Sequence, residues 1–460
     1  MRNSILFSAP FFVLILGILL NSETLIFLFY TIFPIVITIL VFGIVKGEVL
    51  DIRFLFISFF ALYISLPAFF TVIFGSGVLL DRFSEAVFGA TAKDLHFSFI
   101  LHNIAIIFLF GSAFGLYLFT GIEDRKEVKP SLSSDALILF NGLYLCILLY
   151  IFFIVIDITS IFSWDYIKYH KFIAGKGLFL FWLNTLPFII GINLLMQQTK
   201  WQKICWVLIY LILAIILVIA TGKRSYIFPS MVGISMYLLH LKKIHWLKIT
   251  IVIIVIYGTM HAYGFIRAFK GETDLLNQWQ KGWTFVVEHK EFLINDEFSA
   301  SVINSTGVIN LLKKGIWDYQ YGRTVIDIFP SLIPKVFYAD RQEGIALLFA
   351  KKASIGRFRA GGAFGFSIIG DSYLNFGILG VVIFFILFGF LLQKLALDPY
   401  LFQNIFVFGM LPTIIFFSRT SLSGTMKSIL INPAIPFILF VCFYYFTYKF
   451  ITVKKTLHEV

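Results

Sequence analysis

Five arginines and two acids carry most of the chemistry that this chain's residues suggest. Arg224 sits in Thr221-Gly222-Lys223-Arg224-Ser225, and Arg267 and Arg419 follow apolar runs. Arg357 and Arg359 precede Gly361-Gly362. A guanidinium stays charged, and its planar fork grips phosphate oxygens in pairs. A single arginine at the end of a membrane helix ordinarily reaches back to the headgroups. Five on one face, with Lys223 beside them, point instead to a shared anionic ligand.

The acids are Asp157, which closes an apolar run, and Asp371, which lies in Phe364-Gly365-Phe366-Ser367-Ile368-Ile369-Gly370-Asp371-Ser372-Tyr373-Leu374-Asn375-Phe376-Gly377. A carboxylate at Asp371 has three roles open to it: pairing with an arginine first, capping a half-helix second, and general base third. His289 and Glu288 are further candidates for the base. His102, Asn184, Asn193 and His261 lie within apolar runs, where a polar side chain mostly bonds a neighbouring helix. The chain has no HExxH, Walker A, GxSxG or CxxC pattern and no Asp-x-Asp pair, and Glu272-Thr273-Asp274 is a weak signal. No metal and no cofactor is expected.

These groups need positioning, and composition says by what. Of 460 residues, 59% are hydrophobic and 13% charged, far from the balance of a soluble domain. That excludes a disulfide scaffold, a disordered tail and a water-soluble enzyme. Cys146, Cys205 and Cys442 all fall in apolar runs with no metal-ligand spacing. Apolar runs near 5–20, 25–45, 54–75, 98–121, 135–157, 177–196, 204–220, 226–241, 249–266, 378–396, 401–418 and 430–449 read as membrane helices. The first is read as a retained span rather than a cleaved signal, since no small-residue cleavage site follows. The expected fold is therefore all-α and polytopic, with about twelve spans (11–13), and residues 365–377 suggest a half-length helix before the tenth.

With both termini inside, the inner segments carry 15 Lys and Arg and the short outer loops nine. That bias favours this orientation and sends residues 267–364 outside with the other 13. Three segments follow: a bundle over 1–266, a large outer loop over 267–364, and a bundle over 365–460. Structureless loops of that length are uncommon, and 299–316 has helical spacing up to Lys313-Lys314-Gly315. Residues 324–338, with Pro330 and Pro334, suit a segment lying in the membrane interface. The loop is expected to form a small cap with short amphipathic helices. Its Trp279, Trp283, Trp317 and Tyr321 are candidates for stacking on sugars or for interfacial anchoring. The net charge of +12 is spread over both faces, which gives no support to nucleic-acid binding.

The single large loop in the second half, the Thr221–Ser225 turn and the run from Gly361 to Gly380 together resemble the Wzy-type O-antigen (polysaccharide repeat-unit) polymerases. The motif covers about 25 residues and the architecture most of the chain. The family usually carries Glu where this chain has Asp371, which shortens the acid's reach. The resemblance implies a GT-C-like membrane glycosyltransferase of lipopolysaccharide biosynthesis in the bacterial inner membrane, with its large loop periplasmic. Donor and acceptor would be undecaprenyl-pyrophosphate-linked oligosaccharides among membrane lipid, and a chain-length regulator would be a partner. The resemblance also implies that Arg224, Arg267 and Arg419 bind pyrophosphate and that Arg357 and Arg359 close over donor or acceptor, with Asp371 orienting one of the arginines. An O-antigen ligase of the same architecture is a second reading. A flippase or transporter of the same lipid-linked units is a third, though the unequal halves argue against it.

Overall fold

Thr91 and Asp94 show how this sequence starts a helix. The Thr91 backbone N–H donates to the Asp94 carboxylate at 2.8 Å, and the Asp94 N–H returns a bond to Thr91 Oγ1. This capping box satisfies two N–H groups that a helix start leaves unpaired. It begins the Ala92–Phe114 helix six residues ahead of the apolar run expected from residue 98. Asp51 opens Ile52–Phe74 by accepting from the Arg53 N–H at 2.9 Å. The same carboxylate grips the buried Arg53 guanidinium at 3.0 and 2.7 Å, and that guanidinium stacks 4.5 Å over the Phe114 ring. One charge counted towards the inner side is thus neutralised within the protein.

The computed structural model describes residues 2–82, 87, 89–115, 134–155, 183–196, 199–221, 227–241, 298–332, 344–359, 365–397 and 402–430, with scattered positions 277, 280, 281, 284, 288, 434, 438, 440–442 and 445. Among these residues every regular element is helical. Five helices are long and apolar enough to cross a membrane: Glu23–Ile44, Ile52–Phe74, Ala92–Phe114, Lys200–Val218 and Ile368–Ala396. Shorter apolar helices lie at Ser8–Leu19, Leu137–Phe153, Leu186–Met196 and Ile405–Arg419. The run at 249–266 lies outside the described residues, as does most of 430–449.

The chain groups into two compact units. The first holds Met1–Asp124, Gln280–Asp398 and Ile414–Lys427. Its centre is the Ser299–Lys313 helix, which packs on Ile52–Phe74, Ala92–Phe114 and Ile368–Leu397. Asp94 meets Lys313 at 3.2 Å and His102 meets Ser301 at 3.1 Å, so this helix runs antiparallel to Ala92–Phe114. Every residue from Ser299 to Leu311 is buried, so, within the stretch expected to lie outside, this helix is an inner packing element of its unit. Its polar residues bond one another and their own backbone. Ser305 donates to the Ser301 carbonyl at 2.9 Å and Thr306 to the Val302 carbonyl at 2.8 Å, which removes most of the penalty for burying hydroxyls.

Beyond Lys313 the helix stops at Gly315, whose φ of 65° fits only a residue without a side chain at low cost. Trp317 then enters a core with Val308, Leu311, Ile345, Phe349, Phe366 and Leu374. It stacks on Phe349 at 6.2 Å, so it is a buried core residue and not an exposed platform for a sugar. Gly389 lets Ile368–Leu397 approach Ala92–Phe114 closely; a methyl there would lie 1.8 Å from Ser112 Oγ and 2.9 Å from the Leu109 carbonyl. Small residues at helix crossings serve this purpose in membranes.

The second unit holds Arg125–Trp279, Pro399–Thr413 and Ser428–Val460. Asn141 and Asn193 exchange amide hydrogen bonds at 2.9 and 2.8 Å, and Tyr210 donates to the Asn141 carbonyl at 3.1 Å. Asn193 therefore has the interhelical role expected of it. Gly191 and Gly233 make room for the Phe408 ring, which would clash with a methyl at either position.

Candidate functional site

Asp371 and Asn375 stand four residues apart at the start of the Ile368–Leu397 helix, and so share one face. The helix is interrupted directly afterwards, at Phe376 (φ −141°) and Gly377 (φ 63°). The half-length helix expected over 365–377 is thus a short piece ending at Asn375, followed by a long piece that reaches the membrane-spanning length. Both polar side chains are fully buried, and their bonds say what they hold.

The Asp371 carboxylate accepts from Thr324 Oγ1 at 2.6 Å and from Asn375 Nδ2 at 3.3 Å on one oxygen. Its other oxygen accepts from the Leu422 backbone N–H at 2.7 Å. Asn375 Nδ2 also donates to Thr324 Oγ1 at 2.6 Å, while its carbonyl accepts from the Gly322 N–H at 2.9 Å. Two backbone bonds, Gln320 N–H to the Leu374 carbonyl and Tyr321 N–H to the Asn375 carbonyl, fasten the same loop. Asp371 and Asn375 therefore form a bracket that joins residues 320–324 on one side to the start of Leu422–Ile429 on the other. Ser421 completes that helix start by accepting from the Gly424 N–H at 3.0 Å.

Three residues before Leu422 lies Arg419, the last residue of a 3-10 turn over Phe417–Arg419. The turn is held from below. Ser418 Oγ meets Ser301 Oγ at 2.7 Å, Ser301 meets Ser367 at 3.1 Å, and Ser305 donates to Ser367 at 2.8 Å. Ser301 also meets His102 Nε2 at 3.1 Å, and the His102 Nδ1 faces the Ser98 carbonyl at 2.8 Å. His102 stands ten residues into its helix, about 15 Å along the axis at 1.5 Å per residue. Arg419 is thus carried on a turn tied, through Ser301, to the middle of the Ala92–Phe114 helix. Its side chain, half-buried, lies on the backbone of Gly365, where a methyl would fall 2.5 Å from Nε and 2.9 Å from Cγ. Asn304 donates to the Gly365 carbonyl and so fixes that floor.

A half-buried arginine among apolar helices is a candidate site for an anion or an internal partner. The Arg419 side chain lies on the Gly365 backbone, and its turn is one step from the Leu422 N–H that the Asp371 carboxylate accepts. The arrangement can present a cationic fork to a phosphate without locking the fork in a direct pair with Asp371. Direct pairing of Asp371 with an arginine, the first-ranked expectation, is not what it does: among the described residues its partners are Thr324, Asn375 and the Leu422 N–H. The helix start that Asp371 does reach is that of Leu422–Ile429, not that of its own half-helix.

Of the other expected site residues, Arg359 is exposed at the end of the Ile355–Arg359 helix, and Arg357 lies in the same helix. Lys223, Arg224, Arg267, His289, Asp157, Trp279, Trp283 and His261 lie outside the described residues. Glu288 is exposed, and so is Tyr321. Thr324, Asn304, Asn375, Ser301 and Ser418 were not singled out from the sequence. A signal existed for Asn375 alone, in its spacing from Asp371 and its place before Phe376-Gly377.

The model of the family described as O-antigen polysaccharide polymerase Wzy matches residues 3–455, nearly the whole chain. No curated protein and no solved structure matches it.

Proposed function

The chain belongs to the O-antigen polysaccharide polymerase Wzy family of integral membrane proteins, and on that premise we propose that it joins lipid-pyrophosphate-linked oligosaccharide repeat units into a long surface polysaccharide. The work is done at the periplasmic side of the inner membrane. Twelve spans in a GT-C-like arrangement, both termini inside, frame the site.

The reaction is a glycosyl transfer. A hydroxyl on the non-reducing sugar of one lipid-linked unit attacks the anomeric carbon of the growing chain. The new C–O bond forms as the bond from that carbon to the lipid pyrophosphate breaks, and the hydroxyl proton passes to a base. A single displacement inverts the anomeric centre. Negative charge develops on the departing pyrophosphate, so a guanidinium aimed there stabilises the transition state more than the ground state. The observation that carries this reading is Arg419, lying on the Gly365 backbone beside a turn that Ser418 and Asp371 anchor from two sides. Arg419 contacts the pyrophosphate. Asp371 is a positioning residue that acts through Leu422. Arg224, Arg267 and Lys223 add charge around the pyrophosphates, and Arg357, Arg359 and His289 serve the sugar side.

The test is a gel ladder of surface polysaccharide from a deletion strain that carries either the natural chain or Arg419→Ala. A full ladder with the natural chain and a single repeat unit with Arg419→Ala is the expected result. Loss of every glycan band in the deletion strain would contradict it. That outcome, with long lipid-linked chains accumulating, would indicate a ligase; with single units retained inside, it would indicate a flippase.

A further inference from the structure

Apart from Arg323, residues 321–329 have their polarity turned inside out. Thr324 is 3% exposed and bonded to Asp371 and Asn375, whereas Ile326 is 67% and Phe329 73% exposed. Tyr321 and Val325 are also exposed. A segment bathed in water would do the reverse, because apolar area left in water costs roughly 25 cal/mol per Å². In hydrocarbon the inverted pattern is the stable one, with polar groups paired inside and apolar groups outward.

A second observation says what lies outside. The Phe376 ring sits over Gly322, 3.2 Å from where its Cβ would be, so the strap adjoins the break in the Ile368–Leu397 helix. Past the break Leu379, Ile383, Leu387 and Phe390 are all exposed, at spacings of four, four and three residues. Such a stripe on a spanning helix faces lipid. Tyr321, Ile326, Phe329 and Phe376 are exposed in the same way. Arg323 is exposed at the strap's edge, where its long stem can lift the charge to the headgroups. Tyr319 and Tyr321, 6.3 Å apart, have the amphipathic rings favoured at that level.

We propose that the outward face of residues 321–329 is seated among the acyl chains of the outer leaflet, and that this seating holds Thr324 against Asp371. The bilayer would then be a structural partner of the site: lipid contact on one side of the strap is transmitted through Thr324, Asp371 and the Leu422 N–H to the turn that carries Arg419. It rests on the polymerase reading only for the chemistry that Arg419 serves.

Environment-sensitive labelling tests the seating without any turnover. In a chain with Cys146, Cys205 and Cys442 replaced by Ser, I326C, F329C and the exposed control K351C are each labelled with a nitrobenzoxadiazole dye in lipid nanodiscs. Labels at 326 and 329 should show blue-shifted emission, strong loss of intensity with acyl-chain nitroxide lipids, and several-fold slower iodide quenching than at 351. Fast iodide quenching at 326 and 329 would overturn the proposal. Protection from both quenchers would overturn it too and indicate a protein covering. For the coupling to Asp371, Phe329→Asp should shorten the polysaccharide ladder while Phe329→Leu does not. An unchanged ladder for Phe329→Asp would refute that coupling. A failed polymerase assay with the natural chain would leave the quenching result standing.

Discussion

Asp371→Asn is the sharpest probe of the bracket, because it alters charge and one donor with almost no change of shape. The carboxylate receives three hydrogen bonds: Thr324 Oγ1 at 2.6 Å, the Leu422 N–H at 2.7 Å and Asn375 Nδ2 at 3.3 Å. An amide has one oxygen to offer two directions. If its oxygen faces Thr324, its NH₂ meets the Leu422 N–H donor to donor; if it is flipped, the NH₂ meets Asn375 Nδ2. Either way one charge-assisted bond, worth about 1.5–3 kcal/mol, is lost and a buried donor is left unmade. Removing a buried charge offsets part of this. A net loss of roughly 1–3 kcal/mol follows, and for a unit of this size each kcal/mol corresponds to about 2 °C or more in Tm. The assay pairs thermal unfolding of the purified protein with the polysaccharide ladder. A Tm lowered by several degrees and a ladder shortened to a few units are expected, since the Leu422 turn positions Arg419. Thr324→Val should cause a similar loss, and the double variant should lose less than the sum because both changes break one network. A full-length ladder and an unchanged Tm for Asp371→Asn would refute the bracket.

Arg419→Lys keeps the charge and loses the planar fork; it should make short chains where Arg419→Ala makes none, as read on the same gel. Gly365→Ala should displace the Arg419 side chain from its floor, cutting polymer yield more than tenfold at nearly native Tm. Gly389→Ala should act chiefly on stability, through its clash with Ser112 and Leu109: a Tm drop matching about 1–3 kcal/mol of overpacking, with Ser112→Ala giving partial relief. In the second unit, Asn141→Leu strands the Asn193 amide and should destabilise by about 1–2 kcal/mol, measurable as a shift in thermal unfolding.

Much of the fold was legible because hydrocarbon imposes a simple rule. Runs such as 25–45 and 54–75 had no alternative to helices, and they form Glu23–Ile44 and Ile52–Phe74. The break after Asn375 was also legible, since Phe376-Gly377 interrupts an otherwise continuous run. The helical spacing of Val302, Ile303, Val308, Ile309, Leu311 and Leu312 announced the Ser299–Lys313 helix but not how its polar residues are buried. Ser301, Asn304 and Ser305 are buried by bonding Ser367, Ser418 and the Gly365 carbonyl, and sequence spacing alone does not show such partners. Asp371 was recognisable as a key acid, but its partners Thr324 and Leu422 lie 47 and 51 residues away. No local pattern encodes such a meeting. Arg419 was expected at the end of a span; that its turn is tied down by Ser418 bonding Ser301, a contact across 117 residues, has no local signal.

The central claim is that this one chain polymerises, and reconstitution tests it most directly. The purified protein would be placed in proteoliposomes with lipid-pyrophosphate-linked repeat units on the outer-leaflet side and nothing else. A ladder of lengthened lipid-linked chains is the predicted result, with one lipid pyrophosphate released per new linkage and both lost together in Arg419→Ala. Units that stay single, whether they remain in place or cross to the other leaflet, would contradict it.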